Sequence, residues 1–173
     1  MVIKPATEEN EFLQIHQLNY KTFVEEIPQN QQNDQKQLVD KFHHKNNYII
    51  AKRGEKLIGM VCYNDQRPFS LDGKINDLDS YLPQHKHLAE IRLLSVIPEE
   101  RKSIVAFRLL QYLCGELIKN GTDAAVISGT TRQIEFYNKI GFIPFGPLVG
   151  KSGALYQPMY ITLNDLMKNF KNG

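Results

Sequence analysis

The sequence TRQIEFYNKIGF, at residues 131–142, predicts a helix that runs directly into a strand. The helix carries Phe136 and Tyr137 near its end, is stopped by Gly141 and is followed by an apolar strand that starts at Phe142. Glycine one residue beyond a helix accepts the left-handed cap conformation, so this boundary is chemically sensible. By itself the aromatic pair fits a place in the core as well as a place in a site.

Apolar spacing and turn residues on both sides of this stretch predict the other elements. The expected helices lie near residues 8–23, 35–42 and 102–119, and the expected strands near 48–52, 56–63, 88–97, 124–128, 142–145 and 155–162. Residues 53–55 form a hairpin turn, and residues 64–86 form a long polar loop. A hairpin that leads into two β-α-β crossings implies a mixed sheet with helices on both faces.

Length and composition limit the kind of protein. With 173 residues and 42% hydrophobic content, the chain suits a single domain over residues 1–173. The 21 basic residues nearly balance the 19 acidic ones, which gives no reason to expect nucleic acid or an anionic membrane as partner. No apolar run has transmembrane length, and the N-terminus lacks the form of a signal peptide.

The cysteines and histidines indicate neither a disulfide framework nor a metal site. Cys62 and Cys114 fall in apolar segments, where cysteine acts as a small buried residue. The histidine pairs at residues 43–44 and 85–87 have no acidic or cysteine companions, so a surface role is expected. A cytoplasmic location and the absence of a metal are therefore predicted.

The motif FYxKxGF at residues 136–142 resembles the last helix-to-strand junction of the GNAT superfamily, the acyl-thioester-dependent N-acyltransferases. The predicted order of elements matches that family over nearly the whole chain. The resemblance implies an α/β fold of the mixed α+β type, with a central, mostly antiparallel sheet, one parallel splayed pair and helices on both faces. Residues 19–29, 68–72, 90–96 and 150–160 look like the branch near autoinducer synthases and N-acyl amino acid synthases.

The resemblance implies direct transfer of an acyl group from a thioester to an amine, with a base for the ammonium and a proton donor for the thiolate. In the family, the position of Tyr137 lies beside the thioester sulfur. Reference pKa values of about 10 for tyrosine and about 8.5 for a thiol make it a feasible donor. Glu90 stands where many members have a glutamate base. Alternatively, Glu90 pairs with Arg92 on the same strand face, which would lower the pKa of Glu90.

The family wraps the coenzyme A pyrophosphate in a glycine-rich loop at the start of the long helix, where backbone N–H groups suit an anion. At this position the chain instead has, without any glycine, Arg101, Lys102, Ser103 and Ile104. The first three of these offer charge and donors to a phosphate. Alternatively, the helix begins at Pro98 with two glutamates in its first turn, and the basic residues are merely solvated.

The other donor-binding positions lie on two predicted strands. A backbone N–H around residues 94–96 would meet the oxyanion of the tetrahedral intermediate. Thr130 would hydrogen-bond a pantetheine amide or cap the next helix. The expected donor-binding set is Leu94, Ser95, Val96, Arg101, Lys102, Ser103, Ile104 and Thr130.

The acceptor amine is expected near the long loop and the segments that follow the first helix and precede the last strand. The candidate contacts, each more readily explained as a solvated residue, are Glu25, Glu26, Arg67, Ser70, Asp72, Lys74, Lys151, Tyr156 and Gln157. Among them, Glu25 would hold an amine, and Arg67 or Lys74 would hold a substrate carboxylate.

Three hypotheses follow from the sequence. The leading one is an N-acyltransferase that uses acetyl-CoA or another acyl-CoA and a small-molecule amine, without a covalent acyl-enzyme. The second is a long-chain N-acyl amino acid synthase supplied by acyl carrier protein. The third is a GNAT-fold module that binds a ligand without catalysis. The oligomeric state stays open, with a homodimer as one alternative.

Overall fold

The computed structural model describes residues 1–172. The strands are β1 (Val2–Pro5), β2 (Asn47–Arg53), β3 (Lys56–Asn64), β4 (Leu88–Val96), β5 (Ala124–Thr130), β6 (Ile143–Pro144), β7 (Val149–Lys151) and β8 (Ala154–Thr162). The α-helices are α1 (Glu9–Tyr20), α2 (Val105–Lys119), α3 (Ile134–Ile140) and α4 (Leu163–Asn172). A π-helix at Lys21–Glu26 continues α1.

The strands form one sheet in the order β1-β2-β3-β4-β5-β8-β6, and β7 pairs with β8. Strands β4 and β5 run parallel, with Leu88 opposite Ala124. The pairs β1–β2, β2–β3, β5–β8, β6–β8 and β7–β8 are antiparallel. A mostly antiparallel sheet with one parallel pair confirms the predicted fold class.

The chain divides into two compact units. The first unit comprises Met1–Tyr63 and Leu93–Leu113, and the second comprises Asn64–Arg92 and the chain from Cys114 onward. The organisation as a single domain stays a prediction. Among the described residues, no helix combines the length and the apolar character that crossing a membrane requires.

The core of the first unit is built from α1 and the hairpin β2–β3. Ile15 and Leu18, three residues apart on α1, face this core as the helical period requires. The buried cluster comprises Ile15, Leu18, Tyr48, Ile50, Leu57, Met60 and Cys62. Cys62 is a buried free thiol, which agrees with its predicted role as a small apolar side chain.

A buried ion cluster fixes the start of α1 in the first unit. The carboxylate of Glu11, which is fully buried, accepts the backbone N–H groups of Thr7 and Glu8 at 2.9 and 3.0 Å. Its Oε2 lies 2.6 Å from Nζ of Lys4 and 3.0 Å from Nζ of Lys52. Burial alone would raise the pKa of Glu11, but these partners outweigh burial and hold that pKa well below its usual range. The cluster therefore joins α1 to β1 and β2.

Gly59 on β3 lets α2 approach the sheet within the first unit. A Cβ at Gly59 would lie 2.9 Å from Cγ1 of Val105, 3.1 Å from Cδ1 of Leu109 and 3.3 Å from the carbonyl oxygen of Ser95. Valine is stiff at its branch point, so the helix would have to move. We expect Gly59→Ala to lower the free energy of unfolding by about 1–3 kcal/mol, measured by urea denaturation.

Gly115, within α2, is the matched control for this prediction. A Cβ there meets no atom within 4 Å, so Gly115→Ala should raise the free energy of unfolding by about 0.5–1 kcal/mol through helix propensity. Equal effects of the two substitutions would contradict the close approach of α2 to Gly59.

The core of the second unit includes the long loop. Four of its apolar residues pack with side chains from β4, β5 and β8 and with Phe145. The cluster comprises Phe69, Leu71, Ile75, Leu78, Leu88, Ala124, Val126, Phe145 and Tyr156. Short 3₁₀ turns at Leu71–Gly73 and Leu78–Tyr81 shape the loop. The loop is thus a packed part of the unit.

The helix predicted near residues 35–42 is wrong. These residues form turns and extended chain, and Lys36 has a φ of 52°, in the left-handed region. The side-chain amide of Asn33 donates to the carbonyl of Gln37 at 2.8 Å. The run is polar and lacks an apolar stripe, and side-chain bonds of this kind compete with a helix. The sequence patterns also left out β1, β7 and α4.

Candidate active site

Glu90, on β4 in the second unit, is buried, with 1% of its surface exposed. Its Oε1 accepts the backbone N–H of Ser70 at 2.9 Å, and its Oε2 accepts that of Leu71 at 3.0 Å. These donors belong to the start of the first 3₁₀ turn of the long loop. Glu90 therefore anchors the loop to β4.

The pKa of Glu90 is raised above its usual value of 4.5. Burial is the main cause, because it penalises the charged form. The charges of Arg92 and Lys74 and the two backbone N–H groups oppose it. Arg92 does lie beside Glu90, with Nε 3.7 Å from Oε1, as the alternative reading of the sequence expected. At that distance the charge of Arg92 lowers the pKa of Glu90 by less than burial raises it.

Tyr156 on β8 lies near Glu90 and opposite Thr130 in the β5–β8 register. The Nζ of Lys74 lies 4.7 Å from the centroid of the Tyr156 ring. Burial, together with the negative charge of Glu90, raises the pKa of Tyr156 to about 12. The second unit thus gathers a carboxylate, a lysine, a phenol and a threonine around one stretch of β8.

The hydroxyl of Thr130 is buried and has no hydrogen-bond partner among residues 1–172. Thr130 precedes a 3₁₀ turn at Thr131–Gln133 and makes no side-chain cap bond to it. Of its two predicted roles, capping is therefore not seen, and binding of a pantetheine amide stays a prediction. In the first unit, the buried hydroxyl of Ser95 is equally without a partner among the described residues.

Tyr137 is buried in α3, the helix predicted from residues 131–142. Its hydroxyl donates to Oε1 of Gln133 at 3.3 Å, and its ring meets that of Phe142 edge-on at 5.7 Å between centroids. A Cβ at Gly129 would lie only 3.0 Å from this ring. Burial raises the pKa of Tyr137, so the phenol keeps its proton. Gly141 ends α3 with a φ of 110°, as predicted.

In the first unit, two residues of the phosphate segment, which is the stretch 101–104 predicted to bind phosphate, are held by contacts with other residues. The guanidinium of Arg101 forms a two-point ion pair with Glu26, at 2.7 and 2.5 Å, and donates through Nε to the carbonyl of Val96 at 3.0 Å. The hydroxyl of Ser103 donates to the carbonyl of Glu100 at 2.6 Å. Because these donors are engaged, Arg101 acts in this structure as a clamp between the π-helix and the end of β4.

The start of α2 also differs from both sequence alternatives. Pro98–Glu100 form a single 3₁₀ turn, and α2 begins only at Val105. The backbone N–H of Val105 donates to the hydroxyl of Ser103 at 3.2 Å. Lys102 and Ile104 are exposed, Ile104 by 61%.

The backbone of β4 is strained at Leu93. Its φ of 60° lies in the left-handed region, which costs a residue with a side chain about 1–2 kcal/mol. Strain of this kind concentrates at functional sites. Here it stands directly before Leu94, Ser95 and Val96, the segment predicted to meet the oxyanion. Without a glycine at this position, the sequence contained no signal for it.

Several predicted acceptor contacts are engaged inside the second unit. Arg67 forms a two-point ion pair with Asp72 and a further pair with Asp79, at 2.8 Å. The side-chain amide of Gln157 donates to the carbonyls of Phe145 and Pro158. Arg67 therefore holds the loop together.

A family model described as Acetyltransferase (GNAT) family matches residues 12–142 of the chain. No curated protein matches the chain at the level of sequence.

Solved structures resemble the chain over nearly its full length. The AHL synthase LasI has a TM-score of 0.80 at 15% identity, with 99% of this chain and 95% of that chain covered. FeeM, an N-acyl amino acid synthase from uncultured soil microbes, has a TM-score of 0.75 at 17% identity, covering 97% and 93%. An aminoglycoside 6′-N-acetyltransferase complexed with coenzyme A has a TM-score of 0.66 at 16% identity, covering 94% and 97%. The predicted resemblance to the synthase branch is confirmed at the level of the fold.

Proposed function

The chain belongs to the acetyltransferase (GNAT) family, and from this premise we propose that it is an N-acyltransferase. It moves an acyl group, acetyl in the simplest case, from an acyl-CoA thioester to a small-molecule amine. The amine nitrogen attacks the thioester carbonyl directly, and the carbon–sulfur bond then breaks. The single-domain organisation and the cytoplasmic location belong to the same proposal.

The observation that carries the proposal is the buried carboxylate of Glu90 with its raised pKa. A general base works best when its pKa lies close to the working pH. Each Glu90 oxygen accepts one backbone N–H, which leaves lone pairs for a proton. Glu90 would take the proton of the acceptor ammonium, directly or through water.

Tyr137 is proposed to meet the departing thiolate. Burial penalises a phenolate, and a thiolate in the same dry surroundings would be penalised too. A phenol that keeps its proton therefore serves first as a hydrogen-bond donor to the sulfur. As the carbon–sulfur bond breaks, it passes this proton to the sulfur, and the proton that the attacking nitrogen loses restores the phenol. Thr130, with its unpartnered buried hydroxyl, is proposed to bind an amide of the pantetheine arm.

The role of Glu90 predicts a pH dependence. Only the deprotonated carboxylate accepts a proton, so kcat/KM should rise with pH, about tenfold per unit below the pKa of Glu90. Because that pKa is raised above its usual value of 4.5, this rising limb should level off only above pH 4.5. Glu90→Gln should remove the limb together with most of the activity. A limb that persists in this variant would contradict Glu90 as the base.

The function is tested by unfolding the protein thermally with acetyl-CoA, a long-chain acyl-CoA and free CoA, followed by release of free thiol with a panel of amines. A ligand at 100 times its dissociation constant should stabilise the fold by about 2.7 kcal/mol. Lys102→Ala tests the exposed cation of the phosphate segment, and Lys119→Ala, at the other end of α2, is its control. Absence of both stabilisation and thiol release with every donor would overturn the proposal.

The contact of Arg101 with Glu26 favours a second candidate function, an N-acyl amino acid synthase supplied by acyl carrier protein. The segment has no glycine, and its guanidinium is already held by a carboxylate. The single phosphate of phosphopantetheine needs fewer hydrogen-bond donors from such a segment than a pyrophosphate does. This candidate predicts thiol release with an acylated carrier protein and none with the matching acyl-CoA, the reverse of the leading proposal.

A further inference from the structure

Asn19 and Thr22 are buried polar residues with no hydrogen-bond partner in the first unit. Asn19 is fully buried, and neither its amide nitrogen nor its amide oxygen has a partner among residues 1–172. Thr22 is 2% exposed, and its hydroxyl is also without a partner there. Residues three apart are neighbours on a helix surface. Asn19 and Thr22 thus place unpartnered donors and acceptors three positions apart in the chain, at the junction of α1 and the π-helix.

Such an arrangement is unfavourable for the protein alone. A buried amide or hydroxyl without a hydrogen bond costs free energy that leucine or valine at the same position would not cost. The last turn of α1 carries Asn19, and the π-helix that follows carries Thr22. Segments of π-helix are rare and are frequently found at functional sites. Both features point to a ligand.

Glu26 lies in the chain just beyond Asn19 and Thr22, and its ion pair with Arg101 sets the charge of their surroundings. Glu26, four residues beyond Thr22, pairs with Arg101, whose Nε binds the carbonyl of Val96. This clamp brings the end of the π-helix to the end of β4, where the hydroxyl of Ser95 is buried and also without a partner among the described residues. Glu26 and Arg101 neutralise each other, so the corner suits a ligand group without charge.

We propose that Asn19 and Thr22 bind a neutral, amide-bearing part of a substrate. The Asn19 side chain offers one N–H₂ donor and one carbonyl acceptor, the complement of an amide group, and the Thr22 hydroxyl can add a further bond of either kind. The inference rests on the proposed acyl transfer, which supplies two sources of such a group. These are the pantetheine arm of the donor and an amide-bearing acceptor.

The test uses Asn19→Leu and Thr22→Val, which keep the size of each side chain and remove its polar atoms. Gln17→Leu, an exposed amide on the same helix, is the control. The first arm measures the dissociation constants of pantetheine and CoA by calorimetry. The second arm measures the KM of the amine acceptor in the thiol-release assay. Unfolding temperatures of all variants are recorded without ligand.

Both substitutions should leave the unfolding temperature unchanged or raise it, while they weaken binding about tenfold in one arm. The affected arm identifies the source of the amide, and Gln17→Leu should change neither. Unchanged binding in both arms, or a fall in unfolding temperature with both substitutions, would overturn the site while the acyltransferase proposal stands. A wild-type protein that binds no donor and releases no thiol would overturn both.

Discussion

Replacing Tyr137 by phenylalanine is expected to lower kcat about 10²–10³-fold, the usual cost of removing a donor aimed at developing negative charge. The phenol donates a long hydrogen bond of 3.3 Å to Gln133, in the turn that precedes α3, so its loss should leave the fold intact. The ring contacts with Gly129 and Phe142 remain in the variant. Single-turnover thiol release with saturating donor measures the effect on the chemical step.

Tyr160→Phe on β8 is the matched control, because it removes a phenol from the same unit at a partly exposed position. It should leave kcat within about twofold, since exposed substitutions away from a site have little effect. If Tyr137→Phe kept full activity with an unchanged donor affinity, Tyr137 would be a core aromatic residue and the thiolate would be protonated by water.

Replacing Glu11 by alanine is expected to destabilise the fold by about 3–5 kcal/mol, because it leaves Lys4 and Lys52 without their shared carboxylate. The backbone N–H groups of Thr7 and Glu8 lose their acceptor at the same time. Such a loss is a large share of the stability of an ordinary domain. Urea denaturation at pH 7 measures it.

The acid dependence of stability supplies a second readout for Glu11. Its pKa is depressed in the folded protein, so its stabilising contribution is fully present above the unfolded value near 4.5 and is lost as the pH falls below it. Glu11→Ala should therefore flatten the fall in stability with acid. Glu9→Ala, an exposed residue of the same turn, should change neither quantity by more than about 0.5 kcal/mol. An equal effect of the two substitutions would exclude the buried cluster as the cause.

Local signals explain why much of the fold was predictable. The end of α3 at Gly141 and the hairpin turn before β3 depend on residues adjacent in the chain, and both lie where they were expected. The apolar stripe of α2 and the all-apolar start of β5 are likewise local. The helix predicted at 35–42 was wrong because a polar run without an apolar stripe carried too little local information.

The candidate site was less predictable, because its contacts join residues far apart in sequence. Arg101 meets Glu26 across 75 positions, and Glu90 accepts the backbone N–H of Ser70 across 20. The positive φ of Leu93 has no sequence marker, since glycine would be the expected residue there. Tyr137 was predicted from a family motif and Glu90 from its place on the strand before the long helix, and only the structure revealed that both are buried.

The anchoring of the long loop by Glu90 has a consequence for turnover. The carboxylate proposed to accept a proton is the same group that holds the N–H of Ser70 and the N–H of Leu71. Hydrogen bonds to a charged acceptor are roughly twice as strong as those to a neutral one. If Glu90 is the base, each proton that it takes weakens the two hydrogen bonds that hold the loop of residues 65–87 to β4. Proton uptake and the anchoring of the loop are therefore coupled at one carboxylate.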